Sequence, residues 1–546
     1  MSEEPKSIWS RPWKGRAKVL GWLAILTAAV FLFVFGYRLG IEGNRSIPKL
    51  ILFSLLFSVI ISVLVAVAVL FVRWLCCWRN LRRVLFGVAC AITLVALFYA
   101  EENWRGWHAW QKFKHEWEAK GEHFDLASIV PPPVPDDQNF AMTPLWVETV
   151  CASMSVEQGR IWYGDRVAAL GHTNFVRRLV MPTELDLSGL DATTHIGNWQ
   201  KSEKADLRTW QAYYRKVDAI TNFFPVTPQA QTPAEDVLLA LSKYDLTIEE
   251  LRRASELPDS RFPLGYADAD PAAILLPHLA SLRGCAMTLR LRTLAELEAG
   301  QVEKALDDVE LMLRLTASIR TEPFFISHLV RIAMLHTMLQ PVWEGLGDHR
   351  WNDAQLTLLE TELGKLDFLG DYQFAMRAER ALDVGILDYV RGTWQLDWLA
   401  VEDGIDSHFR FPMWLARFVP SGWFEQNKVA CCRMNFDLLV PIVNQETRVV
   451  SPAAEARATN AFNEIRVTPC NWLAGLLMPA LTRCSSKFAY AQTAADLARI
   501  ACALERYRLA HSEYPESLGV LVPQYVERIP HDIIGGQPLK YRRTDD

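Results

Sequence analysis

Three apolar runs in the first hundred residues decide what the rest of this chain can be. Residues 19–37, 50–72 and 84–100 contain no charged side chain. A helix needs about 20 apolar residues to cross a ~30 Å hydrocarbon core, and each run is close to that length. Beyond Ala100 no stretch reads as a span. The expected fold class is therefore mainly α: three N-terminal transmembrane helices, then an irregular all-helical soluble region ending in a short helix–turn–strand tail.

Loop charges orient the anchor. Lys6, Arg11, Lys14, Arg16 and Lys18 precede the first run, and Arg73, Arg79, Arg82 and Arg83 separate the second from the third. The loop between the first two runs holds Arg38, Arg45, Lys49 and Glu42, and Glu101 and Glu102 follow the third. Basic loops stay on the cytoplasmic side. The N-terminus is expected in the cytoplasm and everything from Glu101 onward outside, on the periplasmic face of a bacterial inner membrane. The first run is long for a signal peptide, and Tyr37-Arg38-Leu39-Gly40 is a poor cleavage site. Its removal would leave two spans and put the soluble part inside. Trp104, Trp107 and Trp110 suit an interfacial aromatic belt or a packed helix face equally well.

Six segments follow: a basic cytoplasmic segment (1–18), the anchor (19–100), a juxtamembrane helix and proline-rich linker (101–145), a mixed irregular region (146–230), a helical domain (231–485), and a C-terminal helix with its tail (486–546). Half the residues are hydrophobic and 11% aromatic, enough to build packed cores. Residues 1–100 hold 12 Lys/Arg and 3 Asp/Glu, a net of +9, so a chain of net −6 carries −15 beyond them. Such a surface repels phosphate backbones, which argues against nucleic acid as a partner. The lipid bilayer and an envelope protein are the partners expected. Seven of the ten cysteines follow Ala100 without a C-x-x-C spacing. They read as small buried hydrophobes, with at most one pair, such as Cys470 with Cys484, oxidised.

Four prolines in residues 131–135 enforce an extended segment that spaces the soluble part from the bilayer. Short strands and a helix near residues 203–217 are expected in the mixed region. Downstream, Thr247 and Glu250 form a capping-box pattern, Asp270-Pro271 opens a long helix to Gly300, and another runs from Pro323 to Leu339. Asn352 and Asp353 cap a helix from Ala354. Residues 297–315 read as one helix–Gly turn–helix unit of tetratricopeptide type, with Ala305 on the packing face. Pro412–Pro420 interrupts the helices, which resume over 423–440, 452–465 and 473–482. A last helix over 487–509 carries the stripe Ala494, Leu497, Ala501, Leu504, flanked by Ile500 and Tyr507.

Residues 504–518 and 529–541 resemble the C-terminal part of type II secretion major pseudopilins. Tyr507 lies on the long helix, Tyr514-Pro515 holds the Tyr-Pro turn, and Pro530, Asp532, Gly536, Pro538 and Tyr541 hold the P-x-D…G-x-P-x-x-Y turn. The resemblance implies a strand beginning over residues 539–542. A pseudopilin's long helix starts at a prepilin-peptidase site and an apolar segment. Here that helix lies deep in the chain and carries Asp496 and Arg499, so the protein is not itself a pilin. The family's calcium loop would fall beyond Tyr541 and is not carried over. The soluble part as a whole resembles an uncharacterised family of bacterial membrane-anchored proteins, through residues 129–145, 275–300, 324–335 and the tail. That resemblance implies an envelope location, assigns no activity, and suggests a natural chain extending past Asp546.

No Walker loop, G-x-S-x-G, H-E-x-x-H or Cys/His zinc spacing is present, and His115-Glu116 with His123 is misspaced for one helical face. No cofactor or metal is expected. The polar residues inside apolar helices stand out: His278, Arg283, Glu296, His328, Arg331, His336, Arg377, Glu379 and Arg380. Buried, they need partners. Arg331 or Arg377 against Glu296 or Glu379 would make structural ion pairs; converging on a groove, the same residues would make an envelope enzyme. The expectation is a helical scaffold or interaction module.

Overall fold

The computed structural model describes residues 16–42, 47–75, 78–151, 163, 196–266, 271–393, 418–478, 481 and 484–544. About half of the mixed region and residues 394–417, with most of the expected Pro412–Pro420 interruption, lie outside the described residues. The chain forms two compact units, Met1–Glu101 and Glu102–Asp546.

The first unit contains α1 (Arg16–Glu42), α2 (Ile47–Leu75) and the start of α3 (Trp78–Glu118). Helices α1 and α2 pack together. Among the described side chains of α2, those withdrawn from the surface are Ser54, Ser58 and Ser62, a stripe at i, i+4 and i+8. Small side chains of this kind let helix backbones approach closely in lipid. The surrounding Leu, Ile, Val and Phe side chains are exposed, as a bilayer requires. Mean hydropathy reaches 2.9 over Ile51–Ala68 and 2.1 in α3, and α1 contributes the shorter apolar stretch Gly21–Tyr37. One helix beyond Ala100 also meets the length and hydropathy requirement, contrary to expectation. It spans Pro271–Glu298, but half of it is buried in the protein, so it is a core helix.

Helix α3 runs unbroken into the second unit, the body. There it meets α13 (Ser421–Met434) so closely that only glycine fits on either side. A Cβ on Gly106 would lie 2.0 Å from the Gly422 carbonyl oxygen, and one on Gly422 would lie 2.1 Å from that of Glu102. Asn103 Oδ1 accepts from Gly422 N at 2.9 Å, and Glu102 Oε2 accepts from Trp423 Nε1 at 2.9 Å. The tryptophans divide: Trp110 is buried with Phe113 and Phe124, while Trp104 and Trp107 are exposed. Trp117 stacks on Phe436 at 3.7 Å. The proline run lies along the body, held by Arg261 Nε donating to Pro131 O and by Phe140 N donating to Asp259 O.

The remaining helices are α4 (Pro144–Cys151), α5 (Leu207–Thr221), α6 (Pro233–Leu241), α7 (Asp245–Ala254), α8 (Pro277–Glu298), α9 (Val302–Ala317), α10 (Phe325–Gly347), α11 (Asp353–Gly364), α12 (Phe368–Thr393), α14 (Pro452–Asn463), α15 (Trp472–Leu477) and α16 (Ser485–His511). Neighbours stack in order, α5 on α6, α6 on α8, α8 on α9 and α10, and α10, α11 and α12 all pack on α16. The expected unit appears as α8–α9, turning at Gly300 (φ 75°) with Ala305 fully buried.

Local signals set several boundaries. Asn352 caps α11 in a reciprocal box with Gln355, and Thr232 with Glu235 does the same for α6. Others give way to packing. Thr247 lies inside α7, so its box is not used, and Pro271 opens only a 3-10 turn before α8 starts at Pro277. Helix α10 continues through Pro341 to Gly347, because Met338, Leu339 and Val342 are core residues whose burial outweighs one missing N–H. On α16 the buried line runs through Phe488, Ala491, Ala495 and Cys502, and Leu497 of the expected stripe is exposed. A two-residue hairpin, β1 (Val443–Asn444) with β2 (Val449–Val450), pairs Val443 with Val450 outside the region where strands were expected.

Candidate functional site

The polar residues form a buried ladder centred on the turn between α9 and α10. Glu322 occupies that turn with its carboxylate turned inward. His278 Nε2 of α8 lies 2.7 Å from Glu322 Oε1, and Ser327 Oγ donates to Oε2 at 2.5 Å. His328 Nε2 lies 3.2 Å from the Glu322 carbonyl oxygen. One turn along α10, Arg331 Nε donates to Thr316 O at 2.9 Å and Arg331 Nη1 to Asp371 of α12. Burial, reinforced by Arg331, pushes the His328 imidazole down to about 3. Burial raises the Asp371 carboxyl, with Arg331 and Arg320 pulling the other way. His, Glu and Ser are the components of a hydrolytic triad, but here histidine and serine both bind the glutamate. A nucleophile needs the Ser–His contact, and this cluster is closed off in the core.

The expected pairings of Arg331 or Arg377 with Glu296 or Glu379 do not form. Glu296 faces Arg292 Nε at 3.3 Å, and Arg292 and Arg252 also hold Asp308. Burial, with Asp308 beside it, pushes Glu296 up to about 8. Glu379 shares its helix face with Asp383 one turn on; burial pushes Glu379 up to about 7 and raises Asp383 further. Arg377 and Arg283 are exposed. The buried arginine of that turn is Arg380, which donates to Glu122 Oε2 at 2.5 Å and lies 4.2 Å from the Phe436 ring. Glu122, Glu322 and Asp371 escaped the sequence reading because the partners Arg380, His278 and Arg331 lie 258, 44 and 40 residues away, and Asp383 was passed over beside Glu379. Asp371 and Asp383 alone carried a signal, as acids on an apolar helix face.

The tail closes onto α16. Glu505 is buried and accepts from Arg508 Nη2 at 2.6 Å and Tyr514 OH at 2.9 Å, with His349 Nδ1 2.8 Å away. Burial works against this carboxylate, and the bonds from Arg508, His349 and Tyr514 outweigh it, holding the carboxyl below its ordinary value. Tyr541 OH donates to Pro515 O at 2.9 Å. Asp532 caps the turn through Ile534 N and Gly535 N, Gly536 supplies φ 66°, and His531 bridges Pro538. Tyr507 packs with Leu518, Leu521 and Tyr525 in a small apolar core. Pro530 lies at the entry of the turn, half-buried. The expected strand over 539–542 does not form, and beyond Pro515 the chain makes one 3-10 turn, Leu518–Leu521. The turn backbone is satisfied locally and by Val450 N donating to Ile533 O at 2.6 Å, which leaves residues 539–542 no ladder to join.

Two open cavities stand out among the described residues. The larger, about 790 Å³, lies between α3 and α13; the smaller, about 460 Å³, lies between α10 and α16. His336 lines the smaller one between Trp199 and Tyr490, with its Nδ1 buried and unpaired. Burial lowers its imidazole. Among the described residues no group of three His, Cys, Asp or Glu side chains is arranged to hold a metal, and no disulfide joins Cys470 to Cys484. No protein-family model, curated protein or solved structure matches this chain.

Proposed function

We propose that this chain is a membrane-tethered helical scaffold of a bacterial envelope. It stands in the inner membrane with its N-terminus in the cytoplasm and its body on the outer side, where the body binds a protein partner. One observation carries the reading: among the described residues, the buried clusters around Glu322, Glu296 and Glu379 line neither of these cavities, and the charged side chains that line the larger one are mainly cationic, Arg105, Lys112 and Arg433 with Glu116. An enzyme needs an acid, base or nucleophile converging on space that a substrate can enter. The smaller cavity instead offers aromatic and aliphatic side chains: Leu329, Ile332, His336 and the half-exposed Tyr490. Such anchors suit a partner protein's side chain. The pseudopilin-like tail supports a place in an envelope assembly, and it leaves Val520, Val522 and Ile534 exposed.

A photo-crosslinking amino acid at Tyr490, at Val520 and at Thr361 tests this in cells. The scaffold reading expects one discrete protein adduct from Tyr490 or Val520 and none from Thr361, an exposed position on α11. No adduct from either of the first two positions overturns it.

A further inference from the structure

We propose that the cavity between α3 and α13 binds an anionic phospholipid, taking its phosphate headgroup at a cationic rim and the start of an acyl chain on an apolar floor. This goes beyond the scaffold reading and rests only on the membrane-length apolar stretch of α3. Arg105, Ala109, Lys112, Phe113 and Glu116 fall at i, i+4, i+7, i+8 and i+11, so one stripe of α3 makes one wall. The floor is Phe113, Val429, Ala430, Met434 and Ile465. The rim carries Arg105, Lys112 and Arg433. The lining carboxylate is Glu116, and Lys120 lies 3.4 Å from it. Glu102 orients Arg105 by accepting from its Nη2 at 2.6 Å, and Arg433 lies 5.9 Å from the Phe113 ring. Gln426, also in the lining, has its Nε2 buried with no acceptor.

These features select the ligand. A wholly apolar occupant offers no acceptor to Lys112, to Arg433 or to the buried Gln426 amide. A free phosphate leaves the floor in water. A volume of about 790 Å³ lies in the range of small-molecule sites and exceeds what an inorganic anion fills. Composition agrees: Trp104 and Trp107, exposed beside Arg105, are the residue type that anchors in the headgroup layer of a bilayer.

The test uses the full chain, delipidated in neutral detergent, titrated with dioctanoyl phosphatidylglycerol, dioctanoyl phosphatidylcholine or inorganic phosphate. Native mass spectrometry reads the adducts. Saturable binding of the phosphatidylglycerol is expected, with the other two probes at least about tenfold weaker. Lys112→Gln with Arg433→Gln, both exposed, should weaken the anionic lipid by about 30-fold, one cation's surface attraction apiece. Lys112→Glu with Arg433→Glu should weaken it further by adding repulsion, and Arg350→Glu, elsewhere on the body, should change nothing. Equal binding of phosphatidylcholine, equal saturation by phosphate alone, or wild-type affinity in both double variants overturns the proposal.

Discussion

Replacing Arg331 by methionine should destabilise the body by about 3–4 kcal/mol, the cost of removing one partner from a buried ion pair. Arg331 and Asp371 are 1% and 4% exposed, so water cannot replace the lost contact. The Thr316 carbonyl oxygen loses its Arg331 Nε donor as well, a further ~1 kcal/mol. Arg320, 3.8 Å from Asp371 but largely exposed, offsets part of the loss. An unfolding entropy of ~2.1 cal/mol/K per residue over roughly 440 residues of body gives ~0.9 kcal/mol/K, hence a fall in Tm of about 4 °C. Scanning fluorimetry of the detergent-purified chain at pH 7 reads this through the buried Trp146, Trp210 and Trp351. Arg331→Met with Asp371→Leu removes both charges and should recover half the loss or more. Arg377→Ala, at an exposed position, should move Tm by under about 1 °C. The reasoning fails if Arg331→Met melts with wild type, or if the double variant loses the sum of the two single losses.

Glu296 titrates near 8 in the fold against an ordinary 4.5, so the folded state holds its proton longer and the group's contribution to stability falls as pH rises between those values. Glu296→Gln should therefore gain on wild type in Tm from pH 5 to pH 8, and a gap that stays constant or narrows contradicts this. Gly422→Val places a side chain against the Glu102 carbonyl oxygen and should lower body stability by about 1–3 kcal/mol in thermal melts, whereas Gly475→Ala, where a Cβ meets nothing, should not. Glu505→Gln weakens the charged bonds from Arg508 and His349, and hydrogen exchange over residues 518–526 should accelerate while that of α8 stays unchanged. Reporter fusions after Asn44 and Glu122 should read as external and one after Asn80 as cytoplasmic; a cytoplasmic reading after Glu122 removes the envelope assignment.

Features governed by neighbours in sequence were legible from the chain alone. The apolar runs, the cap at Asn352, the Gly300 turn and the long C-terminal helix depend on periodicity and on hydrogen bonds closed within four residues. Two local expectations failed, the capping box at Thr247 and the helix end at Leu339, where core packing was worth more than a cap or the N–H missing at Pro341.

Choice of partner belonged to the tertiary structure. Glu322 meets His278 across 44 residues, Asp371 meets Arg331 across 40 and Glu122 meets Arg380 across 258. Charge attracts any opposite charge, so a sequence rich in both signs permits many pairings, and only the packing of helix faces selects one. The same packing brings Gly106 and Gly422 into backbone contact and opens the cavity beside them. The basic residues of that rim were visible in the chain from the start, and their convergence over an apolar floor was not, because it depends on two helices crossing after some three hundred intervening residues have folded.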